Sequence, residues 1–341
     1  MSLLADLLST LFAQRSGRET MAGAHDGRPL IELATALIGS AGETSGMALA
    51  REILSRFAKL EDAQKLEFFR DIATTMNIDP DQVRATLGAY EQSPSKTTYR
   101  AFVAAAEPTR QEFIRRLNQV LGATGALVKM RADLLRLGGE EAELQALDLD
   151  FRHLFASWFN RGFLILRPIN WESPAYILEK IIAYEAVHAI DSWDDLRRRL
   201  EPTDRRCFAF FHPSMPDEPL IFVEVALTKG IPKSIQALLA QDRDAMPAQE
   251  ADTAVFYSIS NCQAGLASIS CGNLLIKQVA QDLSAELSDL DRFVTLSPIP
   301  GLTKWLKGAG LHWNTDNPKN TQALAAYYLL HAKTSSGLPF D

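Results

Sequence analysis

Four consecutive segments near the end of the chain decide its fold: "TAVFYSIS" (253–260), "NCQAGLASISCGN" (261–273), "GNLLIKQVAQDLSAEL" (272–287) and "RFVTLSPI" (292–299). The first and the last are short apolar runs rich in β-branched and aromatic residues, which is typical of buried strands. The third segment repeats its apolar residues at helical spacing. The order therefore predicts a β-loop-α-β unit.

The loop of this unit is built from small residues: Ala264, Gly265, Ala267, Ser268, Ser270, Cys271 and Gly272. Small side chains let a ligand approach the backbone, and the first turn of the next helix offers unpaired N–H groups at the positive end of its dipole. These features favour a phosphate or pyrophosphate site. A tight strand-to-helix crossover that needs small residues for packing explains them equally well.

Three known motifs are absent from this loop. The sequence has no GxxxxGK[ST] phosphate loop and no GxGxxG after a strand. The stretch "SISCG" (268–272) departs from the hydrolase motif GxSxG at its first position, Ser268. The loop resembles the QxxGxG/A pyrophosphate loop of GCN5-related acetyltransferases, with its glycine out of register.

A serine followed by Pro-Ile-Pro-Gly ends the last strand, at Ser297. Ser-Pro is a common way to end a strand, and on this stretch alone that explanation is favoured. The alternative is that the prolines fix a hydroxyl at the carboxyl end of a strand, where α/β proteins bind their ligands.

The segments upstream of this unit complete an α+β domain around a mostly antiparallel sheet. Further strands are predicted at "GFLILRPI" (162–169), "RCFAFFHP" (206–213) and "PLIFVEVAL" (219–227), and helices at "SPAYILEKIIAYEAVHAI" (173–190) and "DSWDDLRRRL" (191–200). Residues before about 148 show helical periodicity throughout, and "MSLLADLLSTLFAQRS" (1–16) predicts an amphipathic helix. We therefore predict a helical scaffold and oligomerisation domain over 1–150 and a second domain over 151–341.

Composition excludes several classes of function. The 341 residues carry a net charge of -7 with a pI near 5.5, which gives no basic surface for nucleic acid or an anionic membrane. No run of 18 apolar residues occurs, so no membrane span is expected. Three cysteines without metal or disulfide spacing are typical of a reducing compartment, and a cytoplasmic location is expected.

Several blocks resemble malonyl-CoA decarboxylase: "AVFYSISNCQAGLASISCGNLLIKQV" (254–279), "FVTLSPIPGLTKWL" (293–306), "RRCFAFFHPSMPDEPLIFVEVAL" (205–227) and "VKMRADLL" (128–135). The resemblance implies an all-helical oligomerisation domain, then a GCN5-related acetyltransferase-like α/β domain that converts malonyl-CoA to acetyl-CoA and CO2 without metal or organic cofactor. It implies that Ser297 is catalytic and contacts substrate, and that the other substrate-binding residues are Ala267, Ser268, Ile269, Ser270, Cys271, Gly272 and Asn273. The resemblance therefore favours a functional role for Ser297 over a simple strand-ending turn.

The sequence departs from the family pattern at one place. The family pairs its serine with a histidine in a segment like "FHLxNGA", which none of the six histidines here matches. We therefore expect the catalytic domain over 151–341 to be C-terminally incomplete, with His212 as the first candidate for a substitute proton donor. An acyl-CoA-binding protein and an acyl-CoA N-acyltransferase on the same fold remain as alternative functions.

Overall fold

A computed structural model of the chain describes residues 27–232, 234–269, 272–296, 301, 304–305 and 308. The predicted N-terminal amphipathic helix lies outside these residues. Within them, the chain folds into a helical region, followed by a region built around one sheet. The predicted α+β class is confirmed. No helix in the described ranges is long and apolar enough to cross a bilayer.

The described part of the helical region contains eight α-helices: α1 (Leu30–Gly39), α2 (Glu43–Phe57), α3 (Asp62–Thr75), α4 (Pro80–Gln92), α5 (Lys96–Ala106), α6 (Thr109–Leu117), α7 (Ala123–Leu137) and α8 (Ala142–Trp158). The sequence explains where two of them begin. Asp79 accepts a hydrogen bond from the N–H of Asp81 at 2.9 Å, and Pro80 occupies the first turn of α4, where it costs least. Gly122, with φ of 79°, lies immediately before α7.

The apolar faces of these helices meet in one core. Leu33, Phe69, Leu117 and Phe155 are each fully buried there. The same core includes Leu266, which belongs to the loop of the sheet region. The helical region therefore packs directly against that loop. Helix α8 also runs past residue 150, and the predicted division between the domains at that residue stays a prediction.

In the part of the chain that the structure describes, the sheet has five strands in the order of the sequence: β1 (Ile165–Ile169), β2 (Arg205–Phe211), β3 (Ile221–Thr228), β4 (Thr253–Asn261) and β5 (Arg292–Thr295). The first four pair antiparallel, and β5 pairs parallel to β4. A parallel pair needs a crossover connection. The helix between them, α12 (Gly272–Glu286), supplies it, as the β-loop-α-β prediction requires. The other α-helices described in this region are α9 (Ala175–Tyr184), α10 (Trp193–Leu200) and α11 (Ile235–Leu238).

Helices cover both faces of the sheet. Leu275, Val279 and Leu283 of α12 are fully buried in the core on one face, and α9 and α10 contribute to the core on the other. Both faces are therefore apolar, and the strands β2, β3 and β4 read as continuous buried runs.

One predicted helix is shorter than expected. The helix predicted over residues 173–190 ends at Tyr184, and the prediction is wrong for residues 185–190. The side chain of Glu185 accepts hydrogen bonds from the N–H groups of Val187 and His188, both at 2.8 Å. A carboxylate bonded to the backbone two and three residues ahead competes with helix continuation.

Candidate functional site

Strands β4 and β5 pair in parallel along the first part of β4. Their register runs from Thr253 paired with Arg292 to Phe256 paired with Thr295. The N–H of Leu296 still donates to the carbonyl of Phe256 at 2.9 Å. Strand β4 then continues to Asn261. Beyond Phe256, the described residues place no β5 residue beside β4.

A β-bulge lies just beyond the last of these pairs. In the pairing with β3, Val225 faces Phe256 and Glu224 faces Ser258, so Tyr257 is the extra residue on β4. A bulge bends its strand, increases the local twist and is common next to active sites. The bulge therefore turns β4 at the first residue beyond its pairing with β5.

The loop after β4 follows the surface of α7 closely. A Cβ atom at Gly265 would stand 1.8 Å from the carbonyl oxygen of Val128, so the approach requires glycine. Three residues later, Ser268 has φ of 65° and is the one non-glycine residue with positive φ in the described part of the chain. Such backbone conformations cost energy and cluster at ligand-binding sites. Ser268 is one of the predicted substrate-binding residues 267–273, which we call the CoA loop.

A buried arginine from the helical region anchors this loop. Arg131 of α7 is 1% exposed. Its Nη1 donates to the carbonyl oxygens of Gly265 at 2.6 Å and Ala267 at 3.0 Å, and its Nε donates to Asp148 Oδ1 at 2.7 Å. The planar guanidinium thereby ties two loop carbonyls to a carboxylate of α8. Sequence analysis assigned the helical region a scaffold role and missed this contribution to the site.

The described structure covers half of the predicted substrate-binding residues in full. Ala267, Ser268 and Ile269 form the end of the loop, and Gly272 and Asn273 begin α12, the side chain of Asn273 lying outside the described part. The remaining predicted residues, Ser270, Cys271 and Ser297, lie outside the described residues. The assignment of the site residues therefore stays a prediction.

A cavity of about 610 Å³ opens beside the loop, and we call it the α8 cavity. Leu149, Arg152 and Ala156 stand three or four positions apart on α8, so one face of this helix forms a wall of the cavity. The lining consists of Leu149, Arg152, His153, Ala156, Phe159, Asn160, Arg161, Ser268, Ile269 and Leu274. Sequence analysis found no functional signal at His153. The cavity joins α8, the loop and the first turn of α12 into one concave surface.

The segment after α9 contacts β4 beyond Phe256. The carboxylate of Glu185 accepts hydrogen bonds from Ser258 Oγ at 2.7 Å and from Ser260 Oγ at 3.3 Å. The N–H of Ala186 in turn donates to Ser260 Oγ at 3.2 Å. These bonds hold the start of the segment against the second half of β4.

A buried carboxylate lies on β3 beside the same part of β4, where Glu224 pairs with Ser258. Glu224 is fully buried, and its Oε2 accepts a hydrogen bond from Arg199 Nη1 at 3.3 Å. Its Oε1 has no hydrogen-bond partner among the described residues. Burial raises the pKa of Glu224 to about 7, against the opposing attraction of the Arg199 guanidinium. This carboxyl group therefore titrates near neutral pH.

The pKa of Glu224 predicts how stability changes with pH. Since its pKa rises from 4.5 to about 7 on folding, the folded protein keeps a proton that the unfolded chain releases, and stability falls as pH increases between these values. Relative to Glu224→Gln, the wild type should lose roughly 2 kcal/mol of unfolding free energy between pH 5 and pH 8. Urea unfolding at both pH values measures this. Glu286→Gln, which removes an exposed carboxylate, is the control, and equal pH dependence in wild type and Glu224→Gln would contradict the assignment.

Of the histidines in the described residues, His153 lines the α8 cavity, and the buried Nε2 of His188 has no hydrogen-bond partner among them. His212 Nδ1 accepts from the N–H of Ser214 at 3.1 Å, so its Nε2 donates to the carbonyl of Trp158 at 3.2 Å. Burial lowers the pKa of His212. With both ring nitrogens bonded, His212 is a poor candidate for the proton donor. No group of three or more His, Cys, Asp or Glu in the described ranges could hold a metal ion.

Two family models match consecutive parts of the chain. The malonyl-CoA decarboxylase N-terminal domain matches residues 76–159, and the malonyl-CoA decarboxylase C-terminal domain matches residues 162–320. Among curated proteins, the mitochondrial malonyl-CoA decarboxylase of Rattus norvegicus is 34% identical over 265 residues, 73% of this chain and 53% of the rat protein. The enzyme of Anser anser anser is 39% identical over 59% of this chain and 41% of its own length. The chain thus spans about half the length of the curated relatives it matches.

Solved structures show the same likeness in three dimensions. The crystal structure of malonyl-CoA decarboxylase from Agrobacterium vitis matches with a TM-score of 0.79 and 46% identity, covering 87% of this chain and 77% of that one. The enzyme from Rhodopseudomonas palustris matches with a TM-score of 0.78 and 45% identity, covering 91% and 81%. The similarity therefore includes both the helical region and the sheet region.

Proposed function

The chain belongs to the malonyl-CoA decarboxylase family, and on that premise we propose that it converts malonyl-CoA and a proton into acetyl-CoA and CO2. The observation that supports the proposal is the small-residue loop that leads from β4 to the first turn of α12 and that Arg131 holds in place. The loop suits the diphosphate of CoA, and we place the acyl arm along β4.

We assign the parts of the substrate to these two features. The diphosphate takes the N–H groups at the start of α12 and the dipole of that helix, because helix N-termini attract anions. We place the pantetheine arm along β4 beyond Phe256, which is the last residue of β4 that pairs with a described residue of β5. This course leads the thioester toward the residues that follow Leu296 in the sequence, the first of which is Ser297.

Decarboxylation sets three requirements for the site. Loss of CO2 leaves an enolate, so hydrogen-bond donors are needed at the thioester oxygen. The carboxylate has to stand perpendicular to the plane of the thioester carbonyl, which is a matter of positioning. A proton then has to reach the carbanion. We propose that backbone N–H groups supply the donors, and that the Ser297 hydroxyl holds the carboxylate or relays the proton. No metal or organic cofactor enters this scheme.

Incubation of the full-length protein with malonyl-CoA tests the proposed function. Mass spectrometry should show acetyl-CoA forming without any added acceptor. An acyl-CoA N-acyltransferase would instead need an amine and would release free CoA. A non-catalytic acyl-CoA-binding protein would bind malonyl-CoA and leave it unchanged. Either of these outcomes would overturn the decarboxylase proposal in favour of the corresponding alternative.

The loop assignment makes a prediction about Ser268. Valine is strained at φ of 65°, whereas glycine adopts this value freely. Ser268→Val should therefore distort the loop and weaken binding of CoA and malonyl-CoA alike, by roughly ten-fold or about 1.4 kcal/mol, and Ser268→Gly should leave both affinities nearly unchanged. Isothermal titration calorimetry measures the affinity of each variant for CoA and for malonyl-CoA, and these affinities are compared with those of wild type. A loss confined to malonyl-CoA would move the loop to the acyl end of the substrate.

We also propose that the protein forms a homo-oligomer through its helical region. None of the residues of α4 is buried within the described structure, and Leu87, Tyr99 and Val103 of the α4–α5 hairpin are 38%, 55% and 42% exposed. These exposed apolar side chains suit contact with a second copy of the chain. Sedimentation velocity measures the oligomeric state.

For its location we propose the cytoplasm. The thiols of Cys207 and Cys262 are free and buried, as is usual in a reducing compartment. The mammalian and avian relatives are named as mitochondrial proteins, so cell fractionation is the measurement that decides. Neither a nucleic-acid partner nor a membrane partner is part of the proposal.

A further inference from the structure

The α8 cavity combines positive charge with apolar surface. Arg152, His153 and Arg161 line it, and all three side chains are exposed to solvent. Within the described residues, neither guanidinium has an ion-pair or hydrogen-bond partner. Two unpaired arginines at one concave surface favour a ligand with a phosphate group, because the planar guanidinium bonds phosphate oxygens in pairs.

The apolar part of the lining suits a flat ring. Leu149 is 59% exposed on the same face of α8 as Arg152, and Ile269 and Leu274 also line the cavity. An exposed leucine beside these residues leaves apolar surface for a ligand. The volume of about 610 Å³ falls within the range of about 300–1,000 Å³ that small-molecule sites occupy.

The position of the cavity connects it to the CoA loop. Ser268 and Ile269 of its lining are predicted loop residues, and Leu274 lies in the first turn of α12. In CoA, the ribose that carries the diphosphate also carries the 3′-phosphate. A CoA molecule whose diphosphate lies at the start of α12 can therefore place its 3′-phosphate in the adjacent cavity, beside the cationic groups.

We propose that the α8 cavity binds the 3′-phosphoadenosine end of CoA, with Arg152 and Arg161 on the 3′-phosphate and Leu149 against the adenine ring. This inference rests on the proposed function, since it takes acyl-CoA as the ligand. The proposed site makes the helical region part of the substrate site. Arg131 of α7 binds the loop carbonyls of Gly265 and Ala267, and α8 supplies contacts to the nucleotide. The site discriminates CoA from analogues that lack the 3′-phosphate.

Calorimetric titration with CoA and with 3′-dephospho-CoA tests the proposal in the full-length protein. Wild type should bind 3′-dephospho-CoA at least ten-fold more weakly than CoA. The double variant Arg152→Ala/Arg161→Ala should bind CoA about ten-fold more weakly than wild type does and should bind 3′-dephospho-CoA with unchanged affinity. Arg51→Ala removes an exposed arginine of α2 outside the cavity and should leave both affinities unchanged.

The possible failures are distinguishable. Equal affinity of wild type for the two ligands would overturn the assignment of the cavity and leave the proposed decarboxylase function standing. Equal losses for both ligands in the double variant would likewise overturn the role of the arginines at the 3′-phosphate. Failure of wild type to bind either ligand would overturn the proposed function together with the inference. Circular dichroism of each variant verifies that it is folded.

Discussion

Replacement of Ser297 by alanine is expected to lower the turnover of malonyl-CoA by on the order of 10²-fold or more and to leave the affinity for CoA nearly unchanged. The substitution removes only a hydroxyl, which in our proposal holds the departing carboxylate or relays a proton. The CoA loop and the start of α12 are untouched, so binding of the nucleotide half of the substrate should persist.

Ser288→Ala is the matched control for this variant. Ser288 is an exposed serine that follows α12, and its hydroxyl donates to Asp289 at 3.3 Å. Steady-state rates and calorimetric affinities of both variants are compared with those of wild type. Turnover of Ser297→Ala equal to that of wild type would remove Ser297 from the mechanism.

Replacement of Arg131 by methionine should produce the largest loss of stability. Arg131 is 1% exposed, and its removal leaves the Asp148 carboxylate without its 2.7 Å partner and two loop carbonyls without their donor. Loss of one member of a buried ion pair costs about 3–5 kcal/mol. The loop of residues 261–269 loses its anchor at the same time, so the affinity for CoA should fall as well.

Arg136→Met on the same helix provides the comparison. Arg136 forms ion pairs with Asp62 and Asp133 at the surface, where such pairs contribute little. Urea unfolding should show a large loss for Arg131→Met and a small change for Arg136→Met, and CoA titration should follow the same order. Equal stability losses in the two variants would contradict the anchoring role of Arg131.

The sequence predicted the order of strands and helices because their periodicities are local. The alternation of strand and helix patterns after residue 162, and the proline and serine residues at the starts of helices, correspond to the observed elements. Ser192 caps α10 through a bond from the N–H of Asp195 at 3.1 Å, as a serine at the start of a helix commonly does. The limit of this reasoning is visible at residues 185–190, where a side-chain bond to the backbone ends a helix that the apolar pattern continues.

The contacts that shape the candidate site join residues far apart in the sequence. Arg131 and Gly265 are separated by 134 positions, and Arg131 reads in the sequence as one more charge on an amphipathic helix. The bulge at Tyr257 depends on the register with β3, which strand periodicity leaves undetermined. Arg152 and His153 could have been noticed through their spacing with Leu149 and Ala156 on one face of α8. Their role becomes apparent only because the loop at Ser268 packs opposite them.

The central claim, that this protein decarboxylates malonyl-CoA, is tested most directly by the isotopic fate of the substrate. Full-length protein is incubated in D2O with malonyl-CoA labelled with 13C in its free carboxyl group, and the products are measured by mass spectrometry. Our account predicts labelled CO2 and acetyl-CoA in equal amounts, the acetyl group carrying one deuterium that the residual malonyl-CoA lacks. Release of labelled malonate with free CoA, or recovery of malonyl-CoA unchanged, would contradict the account.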